Sequence, residues 1–95
     1  MIDGPIQLID LPWDVDRAFF LKIPPGGKVH KHVDKPSTRY IIPVTTNPKC
    51  VSWVAGEAYH LEVGKVYHVD TTQEHESTND GETDRVHLLV DVCDP

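Results

Sequence analysis

Eight short apolar or alternating runs can be marked along this chain, at residues 18–23, 28–32, 39–44, 50–54, 57–61, 66–70, 75–79 and 85–92. Turn formers separate them: Pro24-Pro25-Gly26-Gly27, Asp34-Lys35-Pro36-Ser37, Asn47-Pro48, Ala55-Gly56, Val63-Gly64 and Asn79-Asp80-Gly81. Runs this short suit strands, and the residue types agree. The 95 residues include 12 Val, 6 Ile and 7 Thr against 3 Ala, side chains that fit a pleated surface better than a helix. Eight strands within about 75 residues predict a sandwich or barrel, and a jelly roll closes that number with little wasted chain. A single helical turn, capped by Asp10 with Pro12 in its first turn, is the only helix expected, over 10–17.

A chain of 95 residues is one domain, residues 1–95. The formal charge of −6, with three arginines (Arg17, Arg39 and Arg85), argues against a nucleic-acid surface. No apolar run approaches the roughly 18 residues of a membrane span, and the N-terminus lacks the basic flank and apolar core of a leader. Cys50 and Cys93 have no CxxC or zinc-knuckle spacing and read as buried or incidental thiols of a reducing, cytoplasmic compartment.

Six histidines are many for this length and direct attention to imidazole chemistry. In Val29-His30-Lys31-His32-Val33-Asp34, strand alternation puts His30, His32 and Asp34 on one face. His75 is distant in sequence but within reach of strand pairing. His32, Asp34 and His75 form the two-His, one-carboxylate set that holds non-haem Fe(II) on one octahedral face; a lone histidine would instead be a hydrogen-bonded or solvated side chain. Arg85 opens the last run. Alternation there sets Arg85, His87 and Leu89 on one face and Val86, Leu88, Val90 and Val92 on the other, the apolar set being expected to pack on a second layer. A guanidinium at the start of a buried strand requires an anion, either a ligand carboxylate or an internal acid such as Asp70 or Asp84. His87 is either a pocket-lining or a structural residue. His60 and His68 read as surface or core, Trp13 and Trp53 as packing, and residues 79–84 as a solvated turn.

Taken together, Pro25-Gly26, His32-x-Asp34, Arg39, Gly64-Lys65-Val66-Tyr67, Asp70, Glu74-His75-Glu76, Asn79, and Arg85 through Val90-Asp91-Val92 resemble the aspartyl/asparaginyl β-hydroxylase family. The likeness runs over residues 18–95 and is most specific from Glu74-His75-Glu76 through Arg85 to Asp91-Val92. It implies a double-stranded β-helix (cupin-type jelly roll) of about eight strands and an Fe(II)- and 2-oxoglutarate-dependent dioxygenase. The implied activity is hydroxylation of an amino-acid or peptidyl side chain. By the same resemblance His32 and His75 hold the iron, Arg85 pairs with the distal carboxylate of 2-oxoglutarate, and Arg39 lies near its other end. No side chain is assigned as an acid, base or nucleophile. Peptide-hydroxylating members have glycine at the place of Asp34, whereas the bacterial proline cis-hydroxylases keep H-x-D and are similar here. The family's helical extension has no counterpart in the sequence, which implies an open site, a peptide substrate or a partner acting as lid.

The chain also resembles cupins more broadly. Gly64, His75 and Asn79 match the spacing of one cupin motif, and His30-x-His32 after Gly26-Gly27 looks like part of another. That likeness implies His30, His32 and His75 as ligands in a small metal-binding module without 2-oxoglutarate. Unpaired edge strands would allow a homodimer.

Overall fold

A computed structural model describes residues 6–8, 17–34 and 38–92. They form nine strands: β1 (Ile6–Leu8), β2 (Arg17–Ile23), β3 (Lys28–His32), β4 (Thr38–Thr45), β5 (Cys50–Val54), β6 (Glu57–Tyr59), β7 (Tyr67–Val69), β8 (His75–Asn79) and β9 (Arg85–Val92). Among the described residues there is no helix, hence none long and apolar enough to cross a membrane. The helical turn expected over 10–17 lies outside the described residues except for Arg17, which opens β2 instead.

The strands nest as antiparallel pairs. β5 and β6 make the innermost hairpin, around which β4 pairs with β7, β3 with β8 and β2 with β9. The hairpin tip is Ala55-Gly56, both with positive φ (52° and 79°), as a two-residue turn matching the strands' right-handed twist requires. Wound up, this ribbon yields two facing sheets, ordered β1-β7-β4-β9-β2 and β3-β8-β5-β6. That is the expected double-stranded β-helix, with β1 added at an edge. The three residues Ile6-Gln7-Leu8 are too few for alternation to mark; pairing with β7 defines the strand. Pro43 sits inside the central strand β4, where its missing N–H is absorbed by a bulge between Pro43 and Thr45.

The orientation of β9 differs from expectation. Arg85, His87 and Leu89 line the space between the sheets, whereas Val86 and Leu88 alternate with them on the outer face. The inner wall is thus the polar one. Its apolar share comes from Leu89 together with Leu21, Ile41, Val54, Leu61 and Val69 of other segments.

Asn79, fully buried at the end of β8, closes the far end of the ribbon. Its Nδ2 donates to the carbonyls of Ile23 and Thr83 (2.8 Å each), and its Oδ1 accepts from Gly81 N–H (3.0 Å) and Asn47 Nδ2 (3.1 Å). A Cβ at Gly81 would collide with the Asn47 side chain. Asn79→Ala leaves several of these groups unpaired and is expected to destabilise by about 3 kcal/mol, lowering the unfolding midpoint by about 10–20 °C. Thermal denaturation followed by circular dichroism measures it.

Candidate functional site

His32 ends β3 and His75 begins β8, and the two are register partners. Their rings stand 4.2 Å apart between centroids, tilted by 56°. A bulge between Val29 and His32 interrupts the alternation expected for β3. Val29 and His32 are half-buried, while His30 and Lys31 are both exposed. His30 therefore leaves the face it was expected to share with His32 and Asp34. Its carbonyl instead faces His32 Nδ1 at 2.7 Å. Asp34 follows the strand end, its N–H donating to the Thr71 carbonyl (2.9 Å), and its Oδ2 lies 3.6 Å from His32 Nε2 and 3.3 Å from His75 Nε2.

His75 is set by the turn that precedes it. Asp70 Oδ1 accepts from the N–H (3.0 Å) and hydroxyl (2.6 Å) of Thr72, bonds that hold its carboxyl below the usual range. The turn delivers the Gln73 carbonyl to His75 Nδ1 at 2.8 Å. In both imidazoles the backbone carbonyl engages Nδ1, leaving Nε2 as the nitrogen that faces the space beside Asp34. The donor atoms of His32, Asp34 and His75 lie within 4.8 Å of one another, and among the described residues this is the one cluster able to hold a metal ion. Two neutral nitrogens and one carboxylate oxygen suit Fe(II).

Arg39 stands at the same mouth. Its Nε and Nη2 donate to the two carboxylate oxygens of Asp91 (2.8 and 3.1 Å), and its Nη1 lies 3.5 Å from Asp34 Oδ2. Asp91 also accepts from Arg17 (2.6 Å). Arg39, then Arg17, holds the Asp91 carboxyl below the usual range.

Below the mouth lies a cavity of about 100 Å³. His32, Arg39, Thr71, His75, Arg85 and His87 are among its lining residues. Arg85 is 3% exposed, its Nε has no hydrogen-bond partner, and burial pushes its pKa down to about 10. Among the described residues, which include Asp70 and Asp84, no acid forms an ion pair with it. The hydroxyl of Thr71, 1% exposed, is likewise without a partner. Two orphaned polar groups therefore border one cavity. Thr71 escapes sequence reasoning because it lies between two strand runs, with no pattern to mark it.

His87 is 2% exposed, and burial, with the Arg85 cation second, pushes its pKa down to about 3. Its ring is neutral in the folded protein at pH 7, whereas in the unfolded chain it titrates near 6.5. Between pH 6.5 and 3 the unfolded chain binds more protons, so stability falls as the pH falls. From pH 7 to 5 the expected loss through His87 is about 2 kcal/mol. In urea unfolding at the two pH values, His87→Leu should remove that part of the loss.

His60 is exposed with Nδ1 3.1 Å from the Cys50 carbonyl, and His68 packs its ring 5.5 Å from that of Tyr40; neither belongs to the site. Trp53 borders the cavity, while Trp13 lies outside the described residues.

Residues 3–95 match the family described as aspartyl/asparaginyl β-hydroxylase. Among solved structures the fold is similar to that of a predicted oxalate decarboxylase from Thermotoga maritima. The TM-score is 0.69 at 21% identity, over 95% of this chain and 82% of that one. Such a likeness supports a cupin-type jelly roll and nothing about the reaction. No curated protein matches the chain.

Proposed function

This chain belongs to the aspartyl/asparaginyl β-hydroxylase family, and from that premise we propose that it is an Fe(II)- and 2-oxoglutarate-dependent dioxygenase hydroxylating an amino-acid or peptidyl side chain. His32, Asp34 and His75 would hold the metal, and their donor set fits it. Iron with 2-oxoglutarate, when bound, would activate dioxygen, the oxidant that hydroxylates an unactivated C–H bond while 2-oxoglutarate is oxidised to succinate and carbon dioxide.

The remaining tasks belong to this chain's own residues. The carbonyls of His30 and Gln73 fix both imidazoles so that Nε2 stays free to bind. Leu21, Ile41, Val54 and Leu89 wall the cavity with hydrocarbon. Arg85, with the Thr71 hydroxyl bordering the same space, receives the distal carboxylate of 2-oxoglutarate. The observation that carries this reading is Arg85 itself: a buried guanidinium without an ion-pair partner among the described residues needs an anion from outside the chain.

The test is succinate formation from 2-oxoglutarate under air, with and without added Fe(II). Iron-dependent succinate release, stimulated by the right amino acid or peptide, is the expected result. Metal uptake without any succinate would leave a metal-binding cupin and overturn the assignment.

A further inference from the structure

We propose that Asp91 and Arg39 are positioning residues for Asp34, orienting the carboxylate of the candidate metal centre; the inference rests on the metal-centre reading above. Arg17, Asp91 and Arg39 oppose one another across β2, β9 and β4 at a single register level. Asp91, 5% exposed, accepts from Nε and Nη2 of Arg39 with its two oxygens. This two-point contact fixes the guanidinium plane in a way one bond could not. The Phe19 ring, 5.6 Å from the Arg39 guanidinium carbon, braces it further.

What remains of the fork is Nη1, which faces Asp34 Oδ2 at 3.5 Å, the same oxygen that faces both imidazole Nε2 atoms. Asp34 needs such a guide. It lies beyond the end of β3 with its side chain 36% exposed, and its only described backbone hydrogen bond runs from its N–H to Thr71. A fixed cation beside a short carboxylate selects one orientation before any metal arrives, and partners of this kind govern metal affinity. Arg39 on this account serves Asp34, and its Nε and Nη2 are already committed to Asp91.

The structure contains its own control. Arg17 contacts the same Asp91 oxygen at 2.6 Å but is 65% exposed and touches no member of the triad. The experiment is Co(II) titration of the full chain, read by affinity and by the visible absorption of the bound ion, for wild type and for Asp91→Asn, Arg39→Lys and Arg17→Ala. Asp91→Asn and Arg39→Lys should each weaken Co(II) binding about 10- to 100-fold and alter its spectrum. Arg17→Ala should stay within about twofold of wild type, because Arg17 meets Asp91 from the solvent side and Arg39 still holds both of its oxygens. Folding of each variant is checked by its thermal transition, and Arg39→Lys, which keeps the charge but not the fork, carries the test if Asp91→Asn unfolds. Wild-type affinity and spectrum in both variants overturn the positioning role alone. Failure of the wild type to bind Co(II) overturns the metal-centre reading, and the positioning role with it.

Discussion

Replacing Arg85 by methionine is expected to stabilise the ligand-free protein and at the same time to remove its 2-oxoglutarate binding. Both effects have one origin. Burial pushes the guanidinium pKa down to about 10, a displacement that corresponds to roughly 3 kcal/mol against the cation. Methionine fills a similar volume without charge, so an increase of about 1–3 kcal/mol in unfolding free energy follows. Arg85→Lys separates charge from shape, since it keeps a cation but loses the planar two-point donor. Its cosubstrate affinity should fall about 10- to 100-fold, the equivalent of roughly 1.5–3 kcal/mol, with metal affinity nearly unchanged. Urea unfolding and calorimetric titration read the two effects. A methionine variant less stable than wild type would mean that the guanidinium already has an anionic partner within the protein.

The second large effect concerns the ligand set. Asp34→Ala, His32→Ala and His75→Ala should each reduce Fe(II) affinity by roughly 100-fold or more, beyond what loss of a supporting partner produces. His30→Ala should be mild, because His30 offers the site its backbone carbonyl, which alanine retains. Anaerobic metal titration gives the ranking. If His30→Ala were severe and Asp34→Ala mild, the three-histidine set would replace the one proposed here.

Alternation and turn chemistry make most of this fold legible before any coordinates. The run at 50–54, the positive-φ turn at Ala55-Gly56 and the run from 57 form a hairpin that local sequence specifies almost alone. Strand β1 is not legible in that way, because three residues acquire strand geometry only from the neighbour they pair with.

The inner face of β9 is the most instructive misreading. Val86, Leu88, Val90 and Val92 look like a core stripe by hydropathy. Toward the cavity the rule is reversed, because the polar residues Arg85 and His87 face inward, although Val90 on the opposite face is buried at 2% exposure. The bulge in β3 is similar in kind. Strict alternation would keep His30 beside His32, and only the register shift against β8 separates them. The row Arg17, Asp91, Arg39 is invisible to sequence reasoning because its members come from three strands far apart in the chain.

The central claim is that one cavity joins a two-histidine, one-carboxylate metal centre to a buried cation awaiting a dicarboxylate. Calorimetric titration of the Fe(II)-loaded protein with 2-oxoglutarate under anaerobic conditions tests it most directly, with Arg85→Met and His75→Ala run in parallel. The account predicts saturable binding below millimolar concentration in wild type, strongly weakened in Arg85→Met and in His75→Ala. No binding to the wild-type protein at millimolar 2-oxoglutarate, with iron shown to be bound, would contradict it.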